Sequence, residues 1–239
     1  MKLLYRQWKQ ADATLPSLSV VYRFLEQHEL DAHGRRYLLR QNTPGPTKAF
    51  EAPGVNDLWI VDFSPGPFLA LHPKTVATHL CLIIDDHSRL IPYAQYAPAA
   101  DTQALLFCLK EAIRRRGLPR KLYCDNGGPF VNHHLRIVCA NLSIRLIHSK
   151  VGRPWSRGKV ERMFRTLQQD FEAGLRLPGQ GVRSLVELNG KLAAWLQEIY
   201  HPRPHEGIGE SPQERFARAF PLLRPLDPHL DLDQLFYTR

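Results

Sequence analysis

Leu58-Trp-Ile-Val-Asp-Phe63 is apolar at every position but one, and it is bounded by Asp57 and by Ser64-Pro-Gly-Pro67. A short apolar run closed by turn residues reads as a buried strand. The exception is Asp62. A strand covered on both faces rarely holds a carboxylate, because burying that charge is costly. A blander reading is equally open at this point: an aspartate near a strand end can cap the turn that follows.

The pattern continues on the C-terminal side. Thr78-His-Leu-Cys-Leu-Ile-Ile-Asp85 reads as a second strand, Asp86-His-Ser-Arg89 as a tight turn, and Leu90 to Tyr96 as a third strand. Connections this short predict an antiparallel meander. Asp101-Thr-Gln then caps a helix that runs to about Arg116 and stops at Gly117-Leu-Pro119. Lys121-Leu-Tyr-Cys-Asp125 is a fourth strand, residues 132–141 suggest a helix, and Ser143-Ile-Arg-Leu-Ile-His148 is a fifth strand. Val151 to Gly158 reads as a loop, and a long helix begins at Lys159. Further helices are expected at about 182–200 and 212–220. The order β-β-β-α-β-α-β-α predicts an α/β fold, one mixed five-stranded sheet flanked by helices.

On the N-terminal side, residues 1–40 read as helices, with Leu15-Pro-Ser-Leu-Ser-Val-Val-Tyr-Arg-Phe-Leu25 the best patterned. Residues 35–50 are basic, hold Pro44 and Pro46, and read as a linker. The expected organisation is a small helical segment and linker over 1–50, a core over 51–220 and a C-terminal tail over 221–239.

Composition narrows the function. The chain has 239 residues, 44% hydrophobic and 23% charged, so it is long and apolar enough to bury a core. Its formal charge of +9 attracts polyanions. Cys81, Cys108, Cys124 and Cys139 are scattered through apolar stretches, which argues against a zinc site or a disulfide framework and for buried thiols. No run of about 18 apolar residues occurs, so no membrane span is expected.

Two more carboxylates stand out. Asp125 ends its strand directly before Asn126-Gly127-Gly128, and sites in α/β sheets collect at the C-terminal ends of strands. A plain Asp-Asn-Gly turn is the simpler reading for Asp125 alone. Between Lys150 and Arg165 the chain holds Lys150, Arg153, Arg157, Lys159, Arg162 and Arg165, together with Trp155 and a single acid, Glu161. Solvated helices alternate signs, and this one does not. The bland reading is an i, i+4 ion pair of Glu161 with Arg165, worth a few tenths of a kcal/mol. As a set, the three acids suit phosphodiester chemistry. Two Mg²⁺ ions roughly 3.5–4 Å apart can serve both the attacking and the leaving oxygen. Mg²⁺ takes hard oxygen ligands and needs few from the protein. The neighbouring cations would grip DNA, and two readings of Trp155 are equally open, stacking on a base or anchoring its loop by packing.

Asp85 and Asp86 are read as turn formers rather than a metal pair. Arg114-Arg-Arg116 complements a helix C-terminus, and Arg203 and His205 are read as holding the following segment on the core.

The three carboxylates and their surroundings resemble the DDE transposases and retroviral integrases. Thirty-five residues lie between Asp125 and Glu161, the usual interval of that superfamily. Asn56-Asp-Leu-Trp-Ile-Val-Asp-Phe63 resembles its first strand, and Ile84-Asp-Asp-His-Ser-Arg-Leu90 its second hairpin. Gly117-Leu-Pro-Arg-Lys-Leu-Tyr-Cys-Asp-Asn-Gly-Gly-Pro-Phe130 resembles the segment around its second carboxylate. Gly158-Lys-Val-Glu-Arg-Met-Phe-Arg-Thr-Leu167 resembles its glutamate helix, and Tyr200 to Pro212 its downstream motif.

The resemblance implies a ribonuclease H-like fold and DNA strand cleavage followed by strand transfer. Asp62, Asp125 and Glu161 would hold two Mg²⁺ or Mn²⁺ ions. DNA would be the partner, contacted by Lys150, Arg153, Trp155, Arg157, Lys159, Arg162 and Arg165. It also implies a homo-oligomer on DNA, in the bacterial cytoplasm at the nucleoid.

Three departures matter. His201 stands where the family usually has Asn, and residues 1–50 resemble only the last part of a DNA-binding helix-turn-helix region. The chain also ends at Arg239, before the small β-rich domain that bacterial relatives often carry. The alternative reading is therefore a truncated, non-catalytic DNA-binding remnant or regulator; a third is a nuclease of the same fold.

Overall fold

In the computed structural model the described residues are residue 14 and residues 16–28, 51–71, 74–149, 157–176, 181–219 and 223–237. The chain divides into two compact units, 1–49 and 50–239. In the first unit, helix α1 (Leu18–Gln27) forms in the best-patterned stretch, and it exposes Val20, Tyr22 and Phe24. The expected linker at 35–50 lies outside the described residues, Phe50 included.

The second unit is built on a five-stranded sheet in the order β5-β4-β1-β6-β7. Its strands are β1 (Trp59–Pro65), β4 (His79–Asp85), β5 (Tyr93–Ala97), β6 (Lys121–Cys124) and β7 (Arg145–His148). β1, β4 and β5 form the predicted meander, with β1 antiparallel to β4 and β4 antiparallel to β5. The crossovers then bring β6 in parallel to β1 and β7 parallel to β6. The pleat sends alternate residues to opposite faces. Trp59, Val61, Cys81 and Ile83 pack under helices α2 (Thr102–Arg116) and α3 (His133–Asn141). Ile60, Leu80, Leu82 and Ile84 pack under α4 (Arg157–Thr166) and α5 (Leu185–Trp195). That double cover is why β1 carries no polar alternation.

Local chemistry sets the boundaries. Asp101 caps α2 by accepting Ala104 N at 2.8 Å, and Gly117 ends it with φ 79°. Ser211 and Glu214 form a capping box for α6 (Pro212–Arg218). The third core strand starts at Tyr93, later than the expected Leu90, because Ile91 N donates to His201 and Pro92 has no N–H to donate. A hairpin of β2 (Leu69–Leu71) and β3 (Lys74–Val76) was missed. It is short and follows a segment drawn close to the sheet: a Cβ on Gly66 would lie 2.6 Å from the Tyr96 ring. Both α4 and α5 run on into π-helical turns, Leu167–Glu172 and Leu196–Tyr200, which no sequence signal announced.

The C-terminal segment, expected as a tail, packs on the core. Helix α7 (Leu232–Tyr237) buries Leu232 and Phe236 against α2, and Lys110 Nζ lies 2.8 Å from Asp233. Arg224 donates to the carbonyls of Pro119, Leu142 and Ser143. All four cysteines are buried and free.

Candidate active site

Asp62 and Asp125 are brought together by strand register. β1 and β6 run parallel with Trp59 opposite Leu122 and Ile60 opposite Tyr123. Continuing that register by two residues sets Asp125 across from Asp62, on strands about 4.8 Å apart. Alternation puts Asp62 on the face of Ile60 and Ser64, and Asp125 on the face of Tyr123, which is the face α4 covers. Both carboxylates act on the Cys124 thiol. Burial chiefly, then the charges of Asp125, Cys139 and Asp62, push it up to about 12.

The backbone is shaped around Asp125. Gly127 N donates to Asp125 Oδ1 at 2.7 Å, and a Cβ on Gly127 would sit 2.9 Å from that oxygen. His148 Nδ1 lies 3.0 Å from the Asp125 carbonyl and 3.5 Å from the Cys124 sulfur. Phe63 N donates to Asp62 Oδ1 at 2.8 Å. Hard oxygens on neighbouring strands, Asp62 in the middle of β1 and Asp125 just past the end of β6, suit Mg²⁺ or Mn²⁺.

Glu161 lies on α4, in the layer above the aspartates. Val160, Met163, Phe164 and Leu167 are that helix's buried stripe, and Glu161 is exposed beside it. Gln168, seven residues on and thus on the same flank, donates to Ser64 Oγ of β1 at 3.5 Å. The flank of Glu161 is therefore the one that reaches β1, the strand of Asp62. Among the described residues Glu161 has no ion-pair partner, so the bland pair with Arg165 does not form. Convergence is incomplete, however. Among the described residues no three carboxylates, histidines or cysteines lie close enough to hold an ion. The register sets the two aspartates on neighbouring strands, and Glu161 lies on the helix that covers that face.

The basic strip divides. Lys150, Arg153 and Trp155 lie outside the described residues, and of Arg157 only the backbone, the start of α4, is described. Arg162 and Arg165 are exposed, lining a cavity of about 350 Å³ with Arg203, His205 and Trp195. Lys159 instead lies 2.6 Å from Asp86, which is 1% exposed. Asp85 accepts from Ser88 N, Ser88 Oγ and Asn56 N, so it is a turn former as expected. Asp86 is more than that, and its link to Lys159 was missed because 73 residues separate the two. The Gly127 cradle and the His148 support were missed for the same reason: both depend on contacts that only the folded backbone creates.

The sequence and fold match known proteins. A profile of the TnsB C-terminal domain matches residues 105–179. The transposase for transposon Tn552 of Staphylococcus aureus is 30% identical over 225 residues, covering 84% of this chain and 46% of that protein. The chain thus spans less than half the length of this relative. Among solved structures, the catalytic core domain of BIV integrase superposes with a TM-score of 0.55 at 22% identity, covering 70% of this chain and 97% of that one. The HTLV-2 integrase catalytic core domain in complex with magnesium gives a TM-score of 0.53 at 16% identity, covering 69% and 98%. The fold is that of the integrase catalytic core, the ribonuclease H-like fold. By this similarity the chain belongs to the DDE transposase and integrase superfamily.

Proposed function

We propose that this chain is the catalytic core of a DNA transposase, cutting DNA strands and joining the freed 3′-hydroxyl to a target. The observation that carries the reading is the register that sets Asp62 beside Asp125 beneath the helix bearing Glu161. The two aspartates and Glu161 would hold two Mg²⁺ or Mn²⁺ ions. Those ions, when bound, supply charge stabilisation for the attacking and leaving oxygens. Asp62 and Asp125 are held by strands and by the Gly127 cradle, so they form the fixed part of the site. Glu161 is exposed on α4, the helix over the face that carries them. The charge of +9, with Arg162 and Arg165 exposed beside Glu161, favours a DNA backbone as partner. Pairing of two DNA ends would call for more than one copy.

A duplex carrying the terminal repeat that flanks the gene, with an exposed 3′-hydroxyl, tests the proposal. Mg²⁺ or Mn²⁺ should support its joining to target DNA. Asp62→Ala, Asp125→Ala and Glu161→Ala should each abolish joining while duplex binding survives. A triple variant that joins as well as the parent overturns the assignment. The position of Glu161 apart from the pair favours a second reading, a non-catalytic DNA-binding protein. The parent chain would then bind the duplex without joining it under either metal.

A further inference from the structure

The helix that carries Glu161 is tied down in its first turn. Lys159 Nζ lies 2.6 Å from Asp86 Oδ1, and the other Asp86 oxygen accepts Ala52 N at 2.7 Å. Asp86 is buried in the β4–β5 turn and Lys159 is nearly so, with a side chain 15% exposed. The turn itself is braced from within, since Asp85 accepts three hydrogen bonds from Ser88 and Asn56. Arg89 Nη1 is 3.7 Å from the same Asp86 oxygen. Arg89 and Arg215 both pair with Glu51, which fastens this turn to α6 as well.

Helical geometry gives the tie a consequence. With 3.6 residues per turn, positions two apart project about 200° from each other. Lys159 and Glu161 therefore leave α4 on nearly opposite flanks, with buried Val160 between them. A helix seated on a sheet only by an apolar stripe can roll about its own axis; on the Glu161 flank of this one the polar contact is the long Gln168–Ser64 bond of 3.5 Å, seven residues on. A charged tie on one flank stops the roll, and so decides where the opposite flank points. A buried ion pair gains little net stability over well-packed apolar groups, so orientation is what it can add here.

We infer that the Asp86–Lys159 pair is a positioning device for Glu161, holding α4 at the rotation from which the glutamate can join Asp62 and Asp125. The inference rests on the reading of Glu161 as a metal-holding carboxylate. It gives Lys159 a task inside the protein in place of the DNA contact expected of it.

The test is a double-mutant cycle read by Mn²⁺ binding to the intact chain, with no DNA present. Glu161→Gln should weaken Mn²⁺ binding. Lys159→Met should weaken it in the same direction, by about tenfold or more as for other residues that orient a ligand. Adding Lys159→Met to Glu161→Gln should change nothing further, because the pair acts only through the glutamate. Lys159→Arg should keep the parent affinity. If Lys159→Met binds Mn²⁺ like the parent, or weakens it equally with and without Glu161→Gln, the positioning role is overturned and that of Glu161 stands. If Glu161→Gln alone leaves Mn²⁺ binding unchanged, the reading of Glu161 is overturned and the inference falls with it. Should Lys159→Met fail to fold, with Asp86 left buried and unpaired, D86N/K159M removes both charges and enters the same cycle after a thermal melt confirms its fold.

Discussion

At Gly127 a single hydrogen atom in place of a methyl group sets the shape of the site. The residue lacks a positive φ, so alanine is allowed there by its backbone, and the obstacle is purely one of space. A Cβ would stand 2.9 Å from Asp125 Oδ1, closer than such contacts occur, and the carboxylate would have to turn away. The same oxygen accepts Gly127 N at 2.7 Å, so the turn would also cost that hydrogen bond. Gly127→Ala should therefore lower Mn²⁺ affinity and strand joining by about tenfold or more while leaving duplex binding unchanged. Gly128 has open space around the corresponding position, so Gly128→Ala is the control and should be near neutral. Equal losses in both variants would mean that the turn, and not the carboxylate, is what suffers. Asp125 stands out in the sequence as a candidate from its place at a strand end before Asn-Gly-Gly. That its carboxylate folds back onto the second residue of the turn was not legible there, since an Asp-Asn-Gly turn has several geometries.

Among the elements, α4 and the π-helical turn that continues it are held by three contacts of different kinds. Lys159 meets Asp86 at the start, Gln168 meets Ser64 midway, and Tyr96 Oη donates to Glu172 Oε1 at 2.8 Å at the end. Glu172 is 7% exposed, and burial raises its pKa despite the Tyr96 bond. Tyr96→Phe would leave that buried carboxyl group without the hydroxyl, a loss of about 1–3 kcal/mol. The expected result is a lower urea midpoint with an unchanged slope; an unchanged midpoint would show that Glu172 finds another partner or water. The meander and the α2 caps were readable because they are local: alternation, Asp101 and Gly117 each act within a few residues. The anchors of α4 were not, because each joins residues 73 to 104 positions apart. The π-helical turns escaped for a related reason. Phe171 and Tyr200 lie in them as buried residues, so these turns belong to the packed face rather than to a local sequence signal.

For the whole unit, His201 gives a pH dependence whose sign can be worked out. It stands where the superfamily usually has Asn, is buried, and its Nε2 accepts Ile91 N at 3.3 Å, so the folded state requires a neutral ring. Burial first, and then the Arg116 charge, lower its pKa to about 4 from the ordinary 6.5. An unfolded chain takes up the proton once the pH falls below about 6.5, whereas the folded protein does not until about 4. Stability from this group is therefore complete above pH 6.5, is lost progressively between 6.5 and 4, and is level below that. The two-and-a-half-unit interval corresponds to roughly 3 kcal/mol. His205 is lowered in the same direction, by burial and then the charges of Arg89 and Arg162. Asp85 and Glu172 are raised by burial and so act with the opposite sign, strengthening the fold as they protonate. A single acid-unfolding curve would mix these contributions, so a difference is needed. His201→Asn keeps an acceptor for Ile91 N and cannot titrate. Urea melts of the parent and of His201→Asn at pH 7.5 and pH 5 should show the parent losing more stability on acidification, by about 2 kcal/mol at pH 5. Parallel losses in the two proteins would mean that His201 is protonated in the fold, and that its bond from Ile91 is not what holds the start of β5 against the π-helical end of α5.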